Sequence, residues 1–119
     1  MIRAVVFAYH NVGVRCLKVL LAHGVKIPLV VTHTDHPDEC IWFNSVAAIA
    51  ADYGIPTITP DNPNAPSELR RIHDLTPDFL FSFYYRHMLS SDVLTVAPRG
   101  ALNMHGSLLP KYRGRVPVN

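Results

Sequence analysis

Apolar residues run unbroken through Ala4-Val5-Val6-Phe7-Ala8, and the stretch from Ile2 to Ala8 predicts a buried strand opening an α/β unit. From Val12 to Ala22 the spacing turns helical, with Val12, Cys16, Val19 and Leu20 on one side and His23 as a further candidate. Gly24 is the natural stop. Ile27 to Thr32 is rich in β-branched residues and predicts a second strand. Ser45 to Tyr53 predicts a helix ended by Gly54, and Ile55 to Ile58 a short strand. Pro60 to Pro66 is a proline-rich connector, too short to link domains. A helix follows over Ser67 to Leu75, closed by Thr76-Pro77.

Asp78 to Phe83 predicts another strand, which runs into Tyr84-Tyr85-Arg86-His87-Met88, an aromatic and basic turn. Phe79, Phe81 and Phe83 read equally as core, with the tyrosines covering an edge, or as a flat apolar wall for a heteroaromatic ligand. Ser90-Ser91-Asp92 suits the N-cap of a short helix reaching Ala97. Gly100 to His105 then reads as a short buried strand. Residues two apart share a face, so Asn103 and His105 project together and Met104 points the other way into a core. An imidazole near neutral pH can give or take a proton, and a neighbouring carboxamide can donate to a developing oxyanion. Gly106 lets backbone approach a ligand, and Pro110 fixes the exit.

Strands alternating with helices imply an α/β fold: a Rossmann-like, mostly parallel sheet flanked by helices. The first turn, Tyr9-His10-Asn11-Val12-Gly13, has one glycine where a dinucleotide fold wants Gly-x-Gly-x-x-Gly. A cofactor pyrophosphate there is disfavoured. The segment from His33 to Cys40 is polar and turn-prone. Its histidines, carboxylates and cysteine admit a metal site. A mobile loop at the C-terminal edge of the sheet is the plainer expectation, with substrate contact left open.

At 119 residues and 49% hydrophobic, the chain suffices for one core, and 17% charged residues argue against disorder. A net charge of +2 does not suggest nucleic acid, although Lys111, Arg113 and Arg115 cluster late. Cys16 and Cys40 lack metal-type spacing; Cys16 reads as a buried thiol, and a reducing, cytoplasmic setting fits. No N-terminal apolar stretch is long enough for a signal peptide or membrane span.

Phe81-Ser82-Phe83-Tyr84-Tyr85-Arg86-His87, followed by Asn103-Met104-His105-Gly106-Ser107-Leu108-Leu109-Pro110-Lys111-Tyr112-Arg113-Gly114, resembles the formyltransferase family that uses 10-formyltetrahydrofolate. The Asn-x-His-x-Ser-Leu-Leu-Pro signature is specific. Within the family the chain looks most like the formyltransferase domain of the bifunctional polymyxin-resistance enzymes, which formylates UDP-4-amino-4-deoxy-L-arabinose in lipid A modification. Val5 to His10, Thr32 to Asp35 and Phe81 to His87 carry that likeness.

The resemblance implies that Asn103 hydrogen-bonds the formyl oxygen and stabilises the tetrahedral intermediate. His105 would move the proton between the attacking amine and the departing folate nitrogen. Backbone groups of His87, Met88 and Leu89 would hold the pterin, and Arg115 would contact the folate. No metal is required, the acceptor is a UDP-amino sugar, and neither nucleic acid nor membrane is a partner. A homo-oligomer or an attached second enzyme domain would fit the family.

The resemblance covers residues 1–119 as a single, partial N-terminal domain, incomplete at its C-terminus. The family's third catalytic residue is an aspartate that orients the histidine, some tens of residues beyond the signature. Asp35, Asp38, Asp61, Asp74, Asp78 and Asp92 all precede it. Replacing such a carboxylate by an amide in a Ser-His-Asp enzyme costs about 10⁴ in rate, so the 119 residues alone are expected to show little or no transfer. Two other functions compete. One is a methionyl-tRNA formyltransferase, opposed by the low net charge and the missing basic face. The other is a folate-binding fragment without catalysis.

Overall fold

The computed structural model describes residues 1–34 and 45–104. Five parallel strands form one sheet in the order β3-β2-β1-β4-β5: β1 (Arg3–Ala8), β2 (Lys26–Val31), β3 (Thr57–Ile58), β4 (Phe79–Phe83) and β5 (Ala101–Met104). Four helices connect them: α1 (His10–Ala22), α2 (Val46–Asp52), α3 (Pro66–Asp74) and α4 (Ser91–Leu94). The α/β, Rossmann-like expectation holds, with every pairing in the sheet parallel.

The strand order follows from apolar content. β1 is buried on both faces from Ala4 to Ala8, as a central parallel strand requires, and sits between β2 and β4. Its side chains divide by parity. Val6 and Ala8 join Val14 and Leu17 of α1, Val46, Ile49 and Ala50 of α2, and Phe83. Val5 and Phe7 join Ile72 of α3, Leu80, Tyr85, and Val93 of α4. Two helices thus cover each face, around two separate apolar layers.

The helix ends read cleanly from sequence. The Ser45 and Ser90 hydroxyls accept the backbone N–H groups of Ala48 and Val93, so both serines are N-caps. Gly24 and Gly54 take left-handed φ of 79° and 69° just after their helices.

Three expectations need correction. α1 begins at His10, two residues early, and buries Gly13, Val14 and Leu17, while Val19 is 56% exposed. Cys16 and Leu20 of the expected stripe are partly buried against the same core, so the covered face is shifted toward Gly13, Val14 and Leu17 and Val19 is left out. A Cβ at Gly13 would lie 3.2 Å from the Ala8 Cβ and 3.4 Å from the Phe83 carbonyl oxygen, so glycine lets α1 sit close against β1 and β4. The lone glycine of the first turn serves packing.

The helix after Ser90 stops at Leu94, not Ala97. The Thr95 hydroxyl donates back to the Ser91 carbonyl at 2.8 Å, and Pro98 disfavours helical backbone at residue 97. Finally, β5 is exposed along its length, with Leu102 61% and Met104 45% exposed. Among the described residues it is one of two edge strands, β3 being the other. Met104 therefore does not enter a core.

Candidate functional site

The site lies where the strands end. In open α/β sheets ligands bind beyond the carboxyl ends of the strands, where the chain order reverses. Here β1 leads outward to β2 and β3 on one side, and β4 then pairs with β1 on the other. The reversal falls between β1 and β4.

Two residues at this point adopt left-handed backbone without being glycine. His10 follows β1 with φ 68°, and Tyr84 follows β4 with φ 59°. Such backbone costs roughly 1 kcal/mol or more per residue and clusters at ligand sites. The two rings stack, with centroids 5.6 Å apart and planes 18° from parallel.

A second aromatic cluster ties the end of β2 to the turn after β4. His33 stacks on Tyr85 at 4.4 Å and lies 5.0 Å from His87 and 5.1 Å from Tyr9. Its Nε2 accepts the Arg86 backbone N–H at 2.9 Å. That nitrogen therefore acts as an acceptor in this arrangement. The Arg86 guanidinium lies 4.7 Å from the centre of the Tyr9 ring, within cation–π range. Tyr85 itself is 7% exposed, and burial, with a smaller contribution from the Glu68 carboxylate, pushes its phenol up to about 12. Its hydroxyl is buried with no hydrogen-bond partner among the described residues.

Beside this cluster is a cavity of about 480 Å³. β4 contributes Ser82, the following turn residues 85–89, α4 Leu94, and β5 residues 101–103. Ser82 and Asn103 are register partners in the sheet, so their side chains share a face. Ser82 is 6% exposed.

The structure thus brings His87, Met88, Leu89 and Asn103 to one cavity. His105 and Arg115 lie outside the described residues, as do Asp35 to Cys40 of the polar segment considered for a metal. Among the described residues, no three His, Cys, Asp or Glu side chains gather to hold a metal. The wall of phenylalanines divides. Phe79, Phe81 and Phe83 form a ladder with successive rings 5.8 and 5.9 Å apart, but on the face toward α1 and α2. The cavity takes the opposite face of the same strand. Strand alternation separates the Phe ladder from the cavity, and Tyr85 supplies the aromatic surface there.

Ser82 was missed from sequence. The signal available was parity alone, since a serine between phenylalanines must face away from them.

An α/β sheet with a crevice at its carboxyl edge defines the class. A family model described as formyl transferase matches residues 12–119, and the chain belongs to that family. The fold is similar to that of glycinamide ribonucleotide transformylase 1 from Geobacillus kaustophilus, with TM-score 0.63 and 21% identity over 97% of this chain and 63% of that one. It is similar also to glycinamide ribonucleotide transformylase 1 from Symbiobacterium toebii, with TM-score 0.63 and 22% identity over 96% of this chain and 56% of that one. The chain therefore spans about 63% and 56% of the length of these two relatives.

Proposed function

We propose that this chain carries the folate-binding side of an N-formyltransferase, which moves a formyl group from 10-formyltetrahydrofolate to the amine of a UDP-amino sugar. The observation that supports this best is the Asn103–Ser82 pair on the wall of the cavity that residues 85–89 line. It sets a carboxamide donor beside a pocket of mixed apolar and polar lining, which suits a pterin ring.

The chemistry follows from those groups. A neutral amine attacks the formyl carbon, and negative charge develops on the formyl oxygen. The Asn103 amide N–H donates to that oxygen; a preorganised donor of this kind is worth about 3–4 kcal/mol. The C–N bond to folate N10 then breaks, the formyl group stays on the acceptor nitrogen, and N10 leaves with a proton. His105, next but one to Asn103, carries the proton from the acceptor amine to N10, a task an imidazole performs for about 10²–10⁴ in rate. The backbone groups of His87, Met88 and Leu89 hold the pterin, and Arg115 contacts the folate. No step uses a metal.

The likeness of Val5 to His10, Thr32 to Asp35 and Phe81 to His87 to the polymyxin-resistance branch supports UDP-4-amino-4-deoxy-L-arabinose as acceptor. The likeness of the fold to the two glycinamide ribonucleotide transformylases supports glycinamide ribonucleotide as the second choice.

The test is an acceptor panel. Full-length protein is given labelled 10-formyltetrahydrofolate with UDP-4-amino-4-deoxy-L-arabinose, glycinamide ribonucleotide or methionyl-tRNA. Label moving to the UDP-amino sugar, and lost in His105→Ala, is the expected outcome. Transfer to another amine overturns the acceptor; folate binding without transfer to any amine overturns the enzyme.

A further inference from the structure

We propose that Asn64 is a positioning residue for the cofactor loop, acting from the proline-rich connector before α3. This inference rests on the folate site proposed above. The Asn64 amide bridges two backbone groups of the segment that lines the cavity. Its Nδ2 donates to the Met88 carbonyl at 2.8 Å, and its Oδ1 accepts the Ser90 N–H at 2.7 Å. Met88 projects into solvent, 87% exposed, so its own side chain does little to fix the loop. Ser90 is the N-cap of α4. One side chain thus sets both the end of the loop and the start of the helix that supplies Leu94 to the cavity.

The bridge is built before the loop meets it. Asn62 to Ala65 form a turn in which the Ala65 N–H donates to the Asn62 carbonyl at 3.2 Å and the Asn64 N–H donates to Asn62 Oδ1 at 3.0 Å. Pro63, at the second position of the turn, fixes φ there. The Ala65 carbonyl then accepts the N–H groups of Glu68 and Leu69, which anchors the turn to the start of α3. Asn64 is held in place by local bonds and spends its side chain on a loop 24 and 26 residues away. A connector needing only to join β3 to α3 has no use for such an amide. Its removal frees the Met88 carbonyl and the Ser90 N–H together. The loop would then sample positions in which the residue 87–89 backbone no longer matches the pterin edge.

Full-length wild type, Asn64→Ala and Asn64→Asp decide the matter with two readouts. Amide exchange of Ser90 is read without ligand, and kcat and KM for 10-formyltetrahydrofolate are read separately. Two modest net hydrogen bonds are at stake, so Asn64→Ala is expected to raise KM about tenfold with kcat within about twofold, and to speed Ser90 exchange by a similar factor. Asn64→Asp keeps the acceptor for Ser90 but sets a carboxylate oxygen against the Met88 carbonyl, acceptor against acceptor. It is expected to protect Ser90 better than Asn64→Ala does while KM stays raised. Unchanged exchange and KM in Asn64→Ala, or kcat falling in step with a lowered melting temperature, would overturn the proposal. Should wild type not bind formylfolate, the functional reading fails, while Ser90 exchange still decides whether Asn64 holds the loop.

Discussion

The two ends of the sheet are built from opposite materials. At the amino end, ordinary hydrogen bonds lash the strands together. The Arg3 N–H donates to the Asp78 carboxylate at 2.9 Å, and the Asp78 N–H donates to the Arg3 carbonyl at 2.8 Å. The Arg3 guanidinium donates to the Leu75 carbonyl at 3.2 and 2.7 Å through Nε and Nη2. At the carboxyl end, His10 and Tyr84 hold strained backbone, and histidines and tyrosines stack around a cavity. The difference is one of kind: one end closes the fold, and the other holds polar groups in costly positions around a cavity.

Substitutions at the two ends should therefore separate. The largest effect belongs to the carboxyl end. Asn103→Ala in the full-length protein is expected to lower kcat for formyl transfer by about 10²–10³, with little change in melting temperature, as steady-state kinetics and a thermal melt would record. A drop in stability with unaltered kcat would reverse the assignment. At the amino end, Asp78→Ala leaves the Arg3 N–H without its carboxylate. A loss of about 2 kcal/mol in denaturant unfolding is expected, with the KM for formylfolate unchanged.

Two smaller effects probe the space between. Gly13→Ala gains helix propensity of about 0.8–1 kcal/mol. It must also push against the fully buried Ala8 and the Phe83 carbonyl, which is already bonded to the Tyr9 N–H. Neither neighbour can yield easily, so a net loss of about 1 kcal/mol is expected. Tyr85→Phe removes a buried hydroxyl with no partner among the described residues, and a gain of up to about 1 kcal/mol at pH 7 is expected. It also carries a pH signature. The unfolded phenol ionises near pH 10 and the folded one only near 12, so above pH 10 the unfolded state binds fewer protons. Wild-type stability should fall between pH 10 and 12, and this part of the fall should vanish in Tyr85→Phe.

Continuous apolar runs made β1, β2 and β4 legible in the sequence, and serine caps and left-handed glycines marked the helix ends. Those signals are local, and local physics decided them. The face of α1 was legible in part: Cys16 and Leu20 do pack against the core, but its centre lies at Gly13, Val14 and Leu17. The close approach of Gly13 to Ala8 and Phe83 is a tertiary contact that spacing alone does not show. The cavity was half legible: His87, Met88, Leu89 and Asn103 stood out by type and by resemblance. Ser82 gained its place from pairing with β5, and Asn64 from a loop distant in sequence. Neither is visible until the chain is folded. The phenylalanines stayed open between core and ligand wall for the same reason: composition does not say which face of a strand packs against helices, and the folded strand sets them toward α1 and α2.

Amide exchange by mass spectrometry, on the full-length protein with and without a formylfolate analogue that cannot release its formyl group, tests the division of labour most directly. Protection is expected over residues 82–90 and 101–103, with peptides spanning Arg3 and Asp78 unchanged. Protection centred on the amino end of the sheet, or none in either region, would contradict it.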